Sequence, residues 1–290
     1  MQGSPMFELH WYPGHMAQAV RTTRELMRLA DAVLEVADAR IPFTSRHPNL
    51  PASGRPIVRV LLLSRADLAE PGVTRAWIRR FRREGLVALA ADLRRDDWTA
   101  QARKLLSASV NRARPWAARQ EIRVVVVGLP NVGKSTAINR LIGKAKARTG
   151  GRPGVTRRPG WISAGGRLLF LDTPGVLWPQ ITRGKPALYL AATGCVPDEV
   201  FDVQAAGRAL WEELAARFPE RLKARYGLWD EAGGERGLEV VARRTGCLGR
   251  YGEPDEARAA AILLNDFRTG RLGPFSLERP PKEQPSTEGG

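Results

Sequence analysis

One glycine-rich segment limits the fold of this chain more than any other feature. The segment GLPNVGKS at 128–135 follows the apolar run VVVV at 124–127 and precedes residues with helical spacing. Two glycines at this spacing, followed by lysine and serine, form a loop whose backbone N–H groups surround phosphate oxygens between a strand and a helix. The segment therefore predicts a phosphate-binding α/β domain.

Short apolar runs bounded by turn residues support this fold class. Such runs predict buried parallel strands, and segments with helical spacing lie between most of them. The runs are AVLEVAD (32–38), IVRVLLL (57–63), LVALA (86–90), VVVV (124–127) and LLFL (168–171), with GWISAGG (160–166) as an edge strand. The alternation predicts a mostly parallel sheet with helices on both faces.

The pattern changes beyond residue 190, where apolar residues follow helical spacing and no β-branched run interrupts them. Leu210, Trp211 and Leu214 share one such face. We therefore predict an α/β domain with an N-terminal segment over 1–185 and a small all-α domain over 190–275. The Pro-rich and charged residues 276–290 predict a disordered tail.

Residues around the glycine-rich segment have the chemistry of a magnesium nucleotide site. Lys134 supplies a cation to the terminal phosphates, and the Ser135 hydroxyl is a magnesium ligand. LDTPG at 171–175 places Asp172 at a strand end to hold magnesium through water, and the Gly175 amide to meet a terminal phosphate. Thr156 in GGRPGVT is expected to complete the magnesium shell when a third phosphate is present.

The residues expected to read the base precede the phosphate segment instead of following it. A guanine-specific site needs a carboxylate at a strand end, and SRADL at 64–68 offers Asp67 after an apolar strand. Ser64 and Arg65 replace the Asn and Lys of the usual N-K-x-D pattern. The order of these motifs predicts a circularly permuted domain. Taken alone, Asp67 is better explained as a helix N-cap, and Ala90–Asp92 is a weaker second base loop.

Charge divides the chain into two parts. The net charge is +16, but residues 1–190 carry 32 Lys and Arg against 13 Asp and Glu, whereas residues 191–290 carry 14 against 17. A basic surface of this kind indicates either a polyanionic partner or a chain kept soluble by arginine, and composition alone does not separate the two. No signal-peptide core or membrane span is evident, which predicts a cytoplasmic protein. Cys195 and Cys247 are too few for a disulfide framework or a zinc site.

Together these motifs resemble the circularly permuted ribosome-assembly GTPases of the YlqF/RbgA family. The resemblance covers nearly the whole chain apart from the tail. It rests on HWYPGHM (10–16), DARIPFTSRHPNL (38–50), SRADL (64–68), GLPNVGKST (128–136), RPGVT (152–156), LDTPGVLWP (171–179) and the C-terminal residues 246–273.

The resemblance implies a GTPase that binds the large ribosomal subunit or its precursor, through rRNA, in the GTP state and leaves after hydrolysis. It implies slow intrinsic turnover that ribosomal particles stimulate. Val176 follows DTPG where many GTPases place a water-orienting glutamine, and the family's proposed catalytic histidine corresponds to His15. A monomer off the ribosome is expected, with GTP or GDP and Mg²⁺ bound; whether K⁺ assists hydrolysis is left open.

The predicted site residues follow from these motifs. Residues with a predicted catalytic role are His15, Lys134 and Thr156, and those with a metal role are Ser135, Thr156 and Asp172. Residues predicted to bind GTP are Ser64, Arg65, Asp67, Asn131, Val132, Gly133, Lys134, Ser135, Thr136 and Gly175. The acid-free run 138–158 supplies the predicted RNA contacts, which are Lys144, Lys146, Arg148, Arg152, Arg157 and Arg158.

Two other functions stay open from sequence. An RNA-binding scaffold that holds nucleotide without useful hydrolysis is compatible with Val176. A small-molecule phosphotransferase that uses ATP would share the phosphate loop, but SRADL and the lack of a lid-like insertion disfavour it.

Overall fold

The computed structural model describes residues 7–10, 21, 24–47, 57–95, 97–117, 119–143, 160–172, 182–227 and 237–281. Its centre is a six-stranded sheet in the order β3-β2-β1-β4-β6-β5. The strands are β1 (Ala32–Asp38), β2 (Val58–Ser64), β3 (Val87–Ala90), β4 (Ile122–Val127), β5 (Ile162–Ser163) and β6 (Leu168–Asp172). All pair in parallel except β5, a short antiparallel edge strand.

The central strands are mostly apolar because helices cover both faces of the sheet. Helix α1 (Pro71–Arg83) packs Trp77 and Phe81 against one face of β2. Helix α2 (Asp97–Ala113) packs Trp98 and Leu106 against the other. Helix α3 (Lys134–Ile142) follows the glycine-rich loop, and residues 24–29 are helical. The predicted α/β class and strand positions are confirmed.

The sheet also confirms the circular permutation. β4, which leads into the glycine-rich loop, lies between β1 and β6. The half of the sheet that carries SRADL is built from strands earlier in the chain, and β1 joins that half to β4. The two sets of motifs therefore reach the same carboxyl edge of one parallel sheet, where α/β domains bind ligands.

The remaining helices are α4 (Gly184–Thr193), α5 (Val203–Arg217), α6 (Pro219–Tyr226), α7 (Leu238–Thr245) and α8 (Glu256–Thr269). Helices α5 and α8 pack closely because Gly207 lacks a side chain: a Cβ there would lie 2.5 Å from Ala260 Cβ. One hydrophobic core contains both sheet residues such as Leu34 and helical residues such as Leu263. The two parts therefore share a core, and the domain division at 185–190 stays a prediction.

The start of the predicted tail is wrong. Ser276 and Leu277 are buried, and residues 273–281 return across the α/β part of the chain. We call residues 273–281 the C-terminal strap. Its backbone N–H groups at Phe275 and Leu277 donate to Leu68 O and Arg40 O at 2.8 and 2.9 Å. The prolines and charged residues of this segment indicated disorder, but these backbone hydrogen bonds and the buried apolar side chains hold the strap in place. Residues 282–290 lie outside the described part of the chain.

Candidate nucleotide site

The glycine-rich loop has the backbone that its sequence predicts. A Cβ at Gly128 would collide with the carbonyl oxygen of Val36, so only glycine fits there. Asn131 takes a left-handed conformation at φ 56°, and Gly133 at φ 99° leads into α3. Lys134 is buried, and its Nζ donates to Leu129 O at 2.7 Å across the loop. The loop is thereby closed around the start of α3, whose N-terminal N–H groups favour anions.

Ser64 is placed differently from its prediction as a nucleotide contact. It is fully buried, and its hydroxyl lies 2.7 Å from Val132 O and 3.0 Å from Ala37 O. The side chain thus supports the glycine-rich loop from beneath. The serine that replaces the usual Asn thus braces this loop through its own hydroxyl.

Arg65 joins three parts of the structure. It has a left-handed backbone at φ 54°. Its guanidinium donates to Asn131 O in the glycine-rich loop at 2.7 Å and to Thr193 O at the end of α4 at 3.1 Å, and it lies 3.6 Å from Asp38. The arginine at the usual lysine position therefore ties the base-side loop to the phosphate loop and to the helical part.

Asp67 forms an ion pair with Arg94. Its Oδ2 accepts a hydrogen bond from Arg94 Nη2 at 2.6 Å, and Arg94 also binds Asp92. The hydrogen bonds from Arg94, which outweigh a small effect of burial, lower the pKa of Asp92. The second base loop is beside the first because Ala66 N donates to Ala91 O at 3.2 Å. The loop 90–92, a weaker prediction, thus lies beside the loop that carries Asp67.

A cavity of about 710 Å³ is lined by both Asp67 and Lys134, and this volume is within the range of roughly 300–1,000 Å³ usual for ligand sites. Its walls include Arg65, Asp67, Leu68, Asp92, Leu93, Arg94, Asn131, Val132, Gly133, Lys134, Ser135, Thr136, Arg268 and Thr269. The structure therefore brings together eight of the ten residues predicted to bind GTP and adds two from α8.

Arg268 and Thr269 were missed from sequence because they belong to the predicted all-α domain. Arg268 is held by Asp198, whose Oδ1 lies 2.7 Å from Nη2, and by Ala191 O at 2.7 Å. Asn131 Nδ2 donates to Gly194 O at 3.0 Å, next to the same end of α4. No sequence motif marks this junction, since it forms between residues that are far apart in the chain.

A buried ion pair between Asp38 and Arg40 also contacts helices α4 and α8. Arg40 is fully buried, and its Nη2 contacts Asp38 Oδ2 at 2.7 Å, Thr193 O at 3.2 Å and, through Nη1, Phe267 O at 3.4 Å. Burial opposes the charge on Asp38, but Arg40 and Arg65 outweigh it and hold the pKa of Asp38 below its usual range. Asp38 and Arg40 thus join the loop after β1 to α4 and α8.

The comparisons with known proteins agree with this geometry. A family model described as a 50S ribosome-binding GTPase matches residues 123–202. The ribosome biogenesis GTPase A of Bacillus licheniformis is 37% identical over 278 residues, with 94% of this chain and 98% of that protein covered. The same-named protein of Priestia megaterium is 38% identical over 285 residues, covering 96% and 99%.

The chain belongs to the ribosome biogenesis GTPase A family. A solved GDP-bound structure of YlqF from Thermotoga maritima superposes with a TM-score of 0.65 at 28% identity, covering 90% of this chain and 99% of that one. The family resemblance seen in the motifs is confirmed. As a member of this GTPase family, the chain binds and hydrolyses GTP.

The magnesium ligands predicted for this GTPase are only partly described. β6 ends at Asp172, whose backbone pairs with Val126 two residues before Gly128, and Ser135 lies in the first turn of α3. A hydroxyl and a carboxylate are hard oxygen ligands that suit Mg²⁺. Within the described residues, no group of three His, Cys, Asp or Glu side chains forms another metal site.

Several predicted residues lie outside the described part of the chain: His15, Thr156, Gly175 and the RNA-contact candidates Lys144, Lys146, Arg148, Arg152, Arg157 and Arg158. The segment just before His15 is described. Leu9 N donates to Thr182 O at 2.8 Å and His10 N to Val200 O at 2.7 Å. Leu9 and His10 are therefore attached beside α4.

Both cysteines are buried. Among the described residues, no helix has the length and apolar character needed to span a membrane.

Proposed function

We propose that this GTPase binds the large ribosomal subunit or its precursor through rRNA in the GTP state and leaves after hydrolysis. One observation carries the nucleotide part: Asp67 and Lys134, from motifs in permuted order, line the same cavity. The ribosomal part is supported by the names of the relatives, ribosome biogenesis GTPase A and mitochondrial ribosome-associated GTPase 1. We further propose that the protein is cytoplasmic and that it is a monomer off the ribosome.

Each residue has a defined task in this proposal. The Asp67 carboxylate accepts hydrogen bonds from the guanine ring N–H and exocyclic amine. Lys134 and the N–H groups at the start of α3 bind the phosphates and stabilise the charge that develops on them during transfer. Ser135, Thr156 and Asp172, the last through water, hold Mg²⁺, which neutralises phosphate charge when bound. Whether potassium also assists hydrolysis is tested by comparing turnover in K⁺ and in Na⁺.

His15 has the remaining task of positioning the attacking water. The aliphatic Val176 after DTPG has no group that orients water, so another side chain must do so. We propose that rRNA contact by the basic residues around Thr156 orders that loop and brings His15 against the water. This dependence on rRNA explains why turnover should be slow in the free protein.

Turnover measurements test the proposal. Hydrolysis of GTP and of ATP is measured for the purified protein, with and without large ribosomal subunits, in K⁺ and in Na⁺. We expect GTP-selective turnover that subunits raise markedly, and His15→Ala to lower the stimulated rate by about 100-fold, the scale of a lost acid–base group.

His10→Ala is the matched control, because His10 is exposed and precedes the same segment. It should leave the stimulated rate unchanged. Turnover that subunits do not alter would favour the nucleotide-bound scaffold, and ATP turnover with a soluble acceptor would favour the phosphotransferase. A normal rate for His15→Ala would remove His15 from the mechanism.

A further inference from the structure

Helix α1 carries a face of exposed arginines that the nucleotide site does not use. Its thirteen residues contain five arginines and no acid. Arg75, Arg79, Arg82 and Arg83 are exposed and lie at i, i+4, i+7 and i+8, which is one side of a helix. We call these four residues the arginine face. The opposite side of α1 is buried against the sheet through Trp77 and Phe81, so this face points to solvent.

Two of these arginines keep their charge unpaired among the described residues. The side chains of Arg75 and Arg79 form no hydrogen bond or ion pair within the part of the chain that the structure describes. The two acids that flank α1 are already engaged, Glu84 by Arg80 at 3.0 Å and Glu70 by Arg279 at 3.3 Å. The arginine face therefore presents a local positive potential that attracts a polyanion.

A groove runs beside the arginine face. It has a volume of about 250 Å³ and lies between α1 and the C-terminal strap, lined by Ala76, Arg79, Arg80, Arg83, Glu84, Pro280 and Pro281. Apolar Ala76 and the two prolines give it surfaces suited to a sugar or a base, and the guanidinium groups suit phosphate. The groove exists only because the strap returns to α1.

An exposed aromatic residue contacts both α1 and the C-terminal strap. Phe43 is 68% exposed, and its ring centroid is 6.4 Å from that of Trp77 in a stacked arrangement. Its backbone N–H donates to Glu278 Oε2 at 2.6 Å, and Trp77 Nε1 donates to Glu278 O at 3.2 Å. Phe43 is thereby fixed to the strap near the groove, and bases stack on exposed aromatic rings.

We propose that the arginine face and its groove bind the phosphate backbone of RNA, with Phe43 available to stack on an unpaired base. This surface consists of residues other than the basic ones around Thr156, and the inference names a second rRNA contact of the proposed function on which it rests. RNA suits the surface better than a membrane does, because the exposed side of α1 is charged and its apolar side is buried.

Salt-dependent RNA binding tests the inference. A variant with Arg75→Gln, Arg79→Gln, Arg82→Gln and Arg83→Gln is compared with the wild-type chain by fluorescence anisotropy of a labelled RNA hairpin with a single-stranded tail. We expect affinity to fall at least about tenfold and the slope of log K against log salt to decrease by about 3, as each of the four lost phosphate contacts contributes about 0.7 to 0.9. GDP affinity should not change.

The matched control replaces four exposed cations on or near α2 with glutamine: Lys104, Arg112, Arg119 and Arg123. It removes the same charge, and α2 packs on the other face of the sheet. Equal loss in both variants, or no loss in the α1 variant, would overturn the inference, as would a wild-type chain that does not bind the RNA. Binding to large subunits is measured in parallel. A wild-type chain that binds the RNA but not the subunits would contradict the proposed function and leave the arginine face supported.

Discussion

At the scale of single residues, the ion pairs of Asp67 have the most direct bearing on nucleotide binding. The proposed guanine acceptor is paired with Arg94 at 2.6 Å, and the Arg94 side chain is 74% exposed. Guanine must take the place of this arginine on at least one carboxylate oxygen. Because ion pairs this exposed contribute little, the competition should be modest.

Arg94→Ala is therefore expected to increase the affinity for GDP and GTP by about two- to fivefold, the range of a weak surface ion pair. The measurement is titration with a fluorescent guanine nucleotide at moderate salt. Arg95→Ala removes the same charge from the neighbouring exposed position and should leave the affinity unchanged. Weaker binding by Arg94→Ala would instead show that Arg94 contacts the nucleotide.

The sequence predicts site residues where a motif fixes both residue type and spacing. Asn131 to Thr136 and Asp67, which the motifs predict to bind GTP, line one cavity because the loop conformation depends on adjacent residues. The burial of Ser64 and the position of Arg268 were not predictable in this way. Both depend on contacts with residues more than 60 positions away, Val132 and Ala191 respectively.

At the scale of elements, the strands are predictable from sequence, but the contacts between the sheet and the helical part are not. β1 matches the run AVLEVAD because a strand buried on both faces is mostly apolar. Polar groups form part of these contacts: Arg40 links the loop after β1 to the ends of α4 and α8. A charged side chain in a sequence normally indicates a surface position, so nothing marked Arg40 as buried.

Arg40→Ala should lower the free energy of unfolding at pH 7 by about 3–5 kcal/mol, because it leaves the buried carboxylate of Asp38 without its partner. The pKa of Asp38 lies below its ordinary value in the folded protein. The contribution of its charge is therefore complete at neutral pH and is lost only as the pH falls through that low folded value.

Denaturant unfolding measures this change. Arg80→Ala breaks the exposed pair with Glu84 and should cost no more than about 1 kcal/mol. An Arg40→Ala protein as stable as Arg80→Ala would contradict the assignment of a buried, structural ion pair.

At the scale of the whole molecule, the nucleotide cavity is shared between the α/β part and the helical part. Asp67 and Lys134 come from one, and Arg268 and Thr269 from the other. A ligand that contacts both parts stabilises the arrangement in which they meet, and by linkage that arrangement favours the ligand. The permuted motif order predicted which strands meet at the site, but the shared cavity depends on how α4 and α8 pack and has no local signal.

The most direct measurement is the affinity of the protein for purified large ribosomal subunits, determined by co-sedimentation with a non-hydrolysable GTP analogue, with GDP and without nucleotide. A GTP-dependent assembly factor should bind at least about tenfold more tightly with the analogue than with GDP, a typical coupling between two sites. Lys134→Ala should remove the difference. Equal affinity in the two nucleotide states would contradict the central claim that GTP controls association with the subunit.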